Sequence, residues 1–293
     1  MPNVNPSDLT AKRPPPRAAY ALPTLFTAGN IFLGYLSIVR TIQGALNFVA
    51  HPAIARQDFE VAAKTIGLAV VLDGLDGRIA RMTNTTSEFG RELDSLADVI
   101  SFGIAPAILA YIWGVMFVTG TVGAFSMREL QQVGELLAFA FLACGAARLA
   151  RFNIQKNPIP SNPGAPNRKY FVGLPIPAAA GMVATVIFAS DSTPVTDFGW
   201  SVAWLILLAL LSFLMVSAWR YWSFKDLNLL RPRSPLILVL MCLVIYGIWN
   251  WSQPVLLVLS TIYVSSGLFI RVGGIIRRVM RPKPKPTPEA QVG

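Results

Sequence analysis

From residue 22 onward the chain reads as long apolar runs separated by short polar breaks, at roughly 22–42, 60–81, 94–119, 131–151, 171–190, 198–218, 235–250 and 254–272. About 17 to 25 apolar residues in a helix cross ~30 Å of hydrocarbon, so the pattern predicts about eight transmembrane helices in a single domain. No internal repeat of fixed period is visible, which weakens an inverted-repeat transporter architecture. The fold class expected is an all-α polytopic membrane protein.

The breaks are informative in themselves. The stretch NIQKNPIPSNPGAPNRKY (153–170) holds Pro158, Pro160, Pro163 and Pro166 and reads as a loop able to cover a site at the membrane surface. Residues 1–20 carry Lys12, Arg13, Arg17 and five prolines, and residues 273–293 are likewise basic and proline-rich, so both read as disordered tails over anionic headgroups. The first twenty residues lack the apolar core of a secretory signal, so no cleaved leader is expected. Trp113, Trp200, Trp219, Trp222, Trp249 and Trp251 fall near predicted helix ends, as interfacial anchors do. Cys144 and Cys242 lie in separate predicted helices without metal-like or disulfide spacing and read as small core hydrophobes.

Composition agrees with the pattern: 54% of the 293 residues are hydrophobic and 14% charged, with a mean hydropathy of +0.53. A net charge of +10 raises nucleic acid as a partner, but the distribution of the charge excludes it. With eight spans, 21 of the 25 Lys and Arg residues fall on the side that carries both termini, and only Arg40, Arg56, Lys64 and Arg128 fall opposite. That asymmetry follows the positive-inside rule and places both termini in the cytoplasm.

One polar break carries chemistry. DGLDGRIARMTNTTSEFGRELDSLAD, residues 73–98, holds Asp73, Asp76, Asp94 and Asp98 at the end of one predicted span and the start of the next. The i, i+3 and i, i+4 spacings put each pair on one helix face, so four carboxylates can converge. An ionised Asp inside a span costs about 2.5–3.5 kcal/mol, and four without compensation cost on the order of 10 kcal/mol. Two hard dications such as Mg²⁺ or Mn²⁺ compensate them while clamping a phosphate. Salt bridges to Arg78, Arg81 and Arg91 are the structural alternative, and those arginines are equally placed to bind phosphate. Gly77, Ala80 and Gly90 keep the same faces bare, so a ligand can approach the backbone.

Asp73, Asp76, Gly77, Ala80, Arg81, Gly90, Asp94 and Asp98 match every fixed position of the signature D-x2-D-G-x2-A-R-x8-G-x3-D-x3-D. The chain thereby resembles the CDP-alcohol phosphotransferases, integral membrane enzymes with a six-helix core that move a phosphatidyl or similar group from a CDP-linked donor to an alcohol and release CMP. The resemblance implies that the four aspartates hold two divalent metal ions, that Asp73, Gly77 and Arg81 contact the CDP part, that Gly90 lies by the cytidine, and that Asp98 is the base. A carboxylate base also suits the chain, whose only histidine, His51, is predicted on the far side of the membrane. Residues 21–218 would form the core, and 235–272 two additional helices with lipid packing or a homodimer contact as their default role.

Within the family, LPTLFTAGNIFLGYLSI (22–38), SEFGRELDSLADVISFGIAPA (87–107), RLARFN (148–153) and FVGLPIPAAAG (171–181) resemble the serine-using branch. That implies CDP-diacylglycerol as donor and L-serine as acceptor, at the cytoplasmic face of the inner membrane. The serine carboxylate needs a cation, preferably a bidentate Arg. Arg148 and Arg151 stand one turn apart at the expected depth, with Ser101 and Asn153 as further polar candidates; as topology signals the two arginines would serve positive-inside anchoring alone. Sister acceptors (glycerol 3-phosphate, inositol phosphate or choline) and, more remotely, an ion-coupled transporter are the rival readings.

Overall fold

An apolar segment in lipid satisfies its own backbone hydrogen bonds only as a helix, and the apolar runs fold accordingly. The computed structural model describes residues 17–83, 88–119, 126–156, 170–222 and 235–280. The helices are α1 (Arg17–Asn47), α2 (Pro52–Thr83), α3 (Glu88–Met116), α4 (Met127–Lys156), α5 (Ile176–Ala189), α6 (Phe198–Val216), α7 (Pro235–Asn250) and α8 (Ser252–Met280). Among the described residues, α1, α3, α4, α6 and α8 contain stretches long and apolar enough to cross a membrane, and the protein is an all-α polytopic membrane protein. The charges of α2 and the 14 residues of α5, about 21 Å at 1.5 Å per residue, set those two apart. Of the tails expected over 1–20 and 273–293, residues 17–20 and 273–280 are instead helical, as the ends of α1 and α8; residues up to 16 and from 281, and the proline-rich loop over 157–169, lie outside the described residues.

Two expectations about boundaries change. Helix α4 continues to Lys156, so Asn153 is helical rather than part of the loop. The run expected to be helical from 171 instead begins with a strand, β1 (Tyr170–Val172), and the helix starts at Ile176. Gly173 is the reason: it adopts φ +80° against the Met215 carbonyl, and a Cβ there would lie 2.5 Å from that oxygen. Pro175 then stands at the helix start with extended backbone. Strand β1 pairs antiparallel with β2 (Arg220–Trp222), with Phe171 opposite Tyr221, and so ties the α4–α5 and α6–α7 connections together at one end of the bundle.

The other end gathers the α1–α2, α3–α4, α5–α6 and α7–α8 connections. The Phe48 and Phe117 rings lie 4.0 Å apart, and Thr119 N donates to the Thr196 carbonyl at 2.9 Å. Asp191 accepts from Arg56 at 3.1 Å and from Gln253 at 3.1 Å. His51 is exposed at this end, as expected. Trp113 is not an interfacial anchor: it is 3% exposed, packed edge-on against Trp204 with 5.2 Å between ring centroids. The helix carrying it turns that face into the core rather than toward lipid. Trp200, Trp249 and Trp251 are exposed, as anchors are. Cys144 is half-buried and Cys242 exposed, so Cys242 is a surface residue of its helix and not a core one.

Candidate active site

The end of the bundle that holds β1 and β2 also holds the aspartates. Helices α2 and α3 both lean on α1 more than on each other, which leaves a cleft between the last turns of α2 and the first turns of α3. Asp73 and Asp76 enter the cleft from α2, Asp94 and Asp98 from α3. A carboxylate oxygen from each of Asp73, Asp76 and Asp94 lies within 4.8 Å of the other two. Oxygens bound to one hard dication at 2.0–2.6 Å are no more than about 4–5 Å apart, so this group has the dimensions of a cation site. Asp76 Oδ2 and Asp98 Oδ1 are buried without a hydrogen-bond partner, and neither residue is in a salt bridge with a described residue. Buried carboxylates persist when paired or when they coordinate metal, and the donor set, oxygen only, suits Mg²⁺ or Mn²⁺ chemistry.

Asp98 sits one turn deeper than Asp94, next to a π-helical turn over Val99–Ile104. Such turns re-aim the side chains around them and recur at functional sites. The Asp98 carboxylate interacts electrostatically with Asp73, Asp94, Asp76 and Arg148. Beside the cluster, a side chain added at Gly74 or Gly77 would meet open space, so the α2 backbone is approachable there. Gly90 is half-buried in the first turn of α3, and Arg78 and Arg91 are exposed; the side chains of Ala80 and Arg81 lie outside the described residues.

The acceptor candidates separate into two groups. Arg148 is 9% exposed, with Nε buried and unpartnered, and its guanidinium stands 5.8 Å from the centroid of the Phe152 ring. Arg151, one turn on, is half-buried with Nη2 unpartnered. Ser101 and Asn153 instead hold helices together: Ser101 Oγ donates to the Asn30 carbonyl at 2.8 Å, and Asn153 Nδ2 donates to Ser95 Oγ at 2.8 Å. The structure therefore gives Ser101 and Asn153 packing contacts and leaves Arg148 Nε buried without a partner among the described residues.

Asn30 is the residue that sequence reasoning passed over. It is fully buried on α1, level with Ser101, and both amide atoms lack a partner. A lone Asn in an apolar run is the signal that could have found it. A buried unsatisfied amide costs about 1–3 kcal/mol, a cost that packing does not explain. Asn30→Ala is expected to leave the thermal midpoint unchanged or higher and to lower turnover roughly 10-fold, the loss of one hydrogen bond to a charged group. A lower midpoint with full turnover per folded molecule would assign Asn30 to packing alone.

Fold and site together define an integral membrane protein with a cluster of carboxylates that could hold a metal ion at one end of its helix bundle. The chain belongs to the CDP-alcohol phosphatidyltransferase family, whose model matches residues 20–216, α1 through α6. It is 37% identical to a CDP-diacylglycerol–serine O-phosphatidyltransferase of Helicobacter pylori over 79% of this chain and 91% of that protein. A protein of the same name from Methanocaldococcus jannaschii is 32% identical over 82% of this chain and 94% of its own length. An archaetidylserine synthase of Methanothermobacter thermautotrophicus is 36% identical over 56% of this chain and 57% of its own.

Proposed function

We propose that the protein transfers the phosphatidyl group of CDP-diacylglycerol to the hydroxyl of L-serine, giving phosphatidylserine and CMP. The observation that carries this reading is the convergence of the Asp73, Asp76 and Asp94 carboxylates within 4.8 Å, with Asp98 and the buried Arg148 adjoining. The names of the relatives support serine as the acceptor.

In this reading Asp73, Asp76, Asp94 and Asp98 hold two divalent ions, Mg²⁺ or Mn²⁺, which when bound supply positive charge to the phosphoryl oxygens and to departing CMP. Asp73, Gly77 and Arg81 receive the CDP part, and Gly90 lies against the cytidine. Asp98 takes the proton of the serine hydroxyl as the oxygen attacks the lipid-side phosphorus. The bond to the bridging oxygen breaks, and CMP leaves with its electron pair. Arg148, with Arg151 a turn away, meets the serine carboxylate through charge-assisted hydrogen bonds. Residues 21–218 form the catalytic core. All eight helices cross the inner membrane, with both termini and the active site cytoplasmic, as the 21 of 25 basic residues on that side favour. The acyl chains of the donor then stay in the bilayer while its head reaches the cleft.

The test is CMP release by the purified protein in detergent, with CDP-diacylglycerol and one acceptor at a time. Serine is expected to release CMP at a rate well above that of glycerol 3-phosphate, inositol phosphate or choline. Faster release with any of those would reassign the acceptor, and no release with any would overturn the transferase reading.

A further inference from the structure

Helices α5 and α6 touch each other little, and at the end of the bundle away from the aspartates a cavity of about 500 Å³ opens between them. Helix α6 lines it with Trp200, Ala203 and Leu207, whose i, i+3, i+7 spacing is one helix face running about 10 Å. Trp200 and Ala203 are exposed, so this side opens toward lipid. The inner side is the buried Trp113–Trp204 pair, and the turn from Thr193 to Asp197 forms the rim. Trp113 follows Asp98 by 15 positions on α3, a helical rise of about 20 Å. The cavity is therefore separate from the aspartate cleft.

Hydrogen bonds hold its walls in place. Trp204 Nε1 donates to the Ala110 carbonyl at 2.9 Å and Ser201 Oγ to the Gly114 carbonyl at 2.7 Å, so α6 is fixed on α3 beside the cavity. Gly114 lies against the Trp204 indole with no room for a Cβ. Val195 N donates to the Trp113 carbonyl at 2.9 Å, which pins the rim to the same helix. Asp191 and Ser192, just before the rim, both adopt φ 55°, and Asp191 is tied to Arg56 and Gln253. A packed interior leaves few voids larger than a water molecule. A preformed, mostly apolar cavity of this size with a few polar groups has instead the form of a ligand site.

Its level and its charge define the occupant. Trp200, 74% exposed at the start of α6, marks the headgroup level as interfacial tryptophans do, so the rim stands among headgroups and the cavity beneath it among acyl chains. The charged residue of the rim is Asp197. Its Oδ2 caps α6 by accepting from Trp200 N at 3.0 Å, and among the described residues it is in no ion pair. A carboxylate beside an exposed indole attracts an ammonium through a charge-assisted hydrogen bond and through the ring face. It repels a headgroup whose only charge is phosphate. We propose that the cavity between α5 and α6 binds a phospholipid with an ammonium headgroup, one acyl chain lying along Trp200, Ala203 and Leu207 and the ammonium at Asp197. The lipid comes from the leaflet away from the aspartates and fills a gap that the two helices leave open. The inference does not depend on which acceptor the aspartate cleft uses.

The experiment is native mass spectrometry of the full-length protein in detergent, titrated with phosphatidylethanolamine or with phosphatidylglycerol of the same acyl chains. The first phosphatidylethanolamine is expected to bind wild type about 10-fold more tightly than the first phosphatidylglycerol, the effect of one charge-assisted hydrogen bond. Asp197→Asn keeps a good helix cap, so the fold is retained, and it is expected to make the two lipids bind equally. Ala203→Trp fills the cavity from α6 and is expected to reduce the first binding event to the strength of the later, weaker ones. Equal affinity of the two lipids for wild type means surrounding bilayer lipid only and overturns the proposal. So does a preference for phosphatidylethanolamine that survives Asp197→Asn, or tight first binding that survives Ala203→Trp.

Discussion

Asp98→Asn is expected to lower kcat by about 100-fold or more while the protein still binds CDP-diacylglycerol. The amide keeps the shape of the side chain and one oxygen toward the cleft, but it cannot accept the serine proton. General base catalysis contributes about 10²- to 10⁴-fold. No histidine can take over, since His51 is exposed at the opposite end of the bundle. Asp73, Asp76 and Asp94 are near, but their carboxylates converge on one another within 4.8 Å, whereas Asp98 stands outside that group of three and in the proposed reading takes the proton in addition to its metal contact. Single-turnover CMP release separates the chemical step from binding, and a donor titration on the same preparation reads the affinity. A variant retaining more than about a tenth of the wild-type kcat, far above the loss expected on removing a base, would take that role from Asp98.

Asp76→Asn and Asp73→Asn are expected to fail in a different way, through the cation. Each replaces a charged oxygen ligand by a neutral amide, a poorer donor to a hard dication. Metal stabilisation of transferring phosphoryl charge is worth several kcal/mol, so kcat/KM is expected to fall about 10²- to 10³-fold at a fixed low metal concentration. Part of that loss should return as Mg²⁺ or Mn²⁺ is raised. Direct Mn²⁺ titration of the protein without substrate gives a readout independent of turnover, and there both variants are expected to bind more weakly. The same Mn²⁺ affinity in wild type and both variants would remove these residues from the ligand set. The contrast with Asp98→Asn is the useful feature, since added metal should not rescue a missing base.

These outcomes depend on features that were legible in the chain to different degrees. The carboxylates were visible because charge inside an apolar run is costly and therefore rare, and their i, i+3 and i, i+4 spacing already implied shared faces. Arg148 was visible as a cation at a span end, but its distinction from Arg151, Ser101 and Asn153 was not. Only packing shows that Ser101 and Asn153 are engaged with Asn30 and Ser95.

Local chemistry along the chain was enough for the helices and the family. Apolar runs become helices because lipid offers the backbone no other partner, and the motif of residues 73–98 names the family. Contacts between distant segments set the rest. Gly173, forced into positive φ by the Met215 carbonyl, turns the expected start of a helix into a strand paired with β2. Trp113, at a span end that reads as interfacial, is turned inward onto Trp204. The seat of α8 on Tyr221, where Gly267 meets the ring, arises from complementary shapes of two surfaces. Periodicity and composition along one segment carry no record of the partner it meets, because that partner is chosen by which surfaces fit once all the helices are formed.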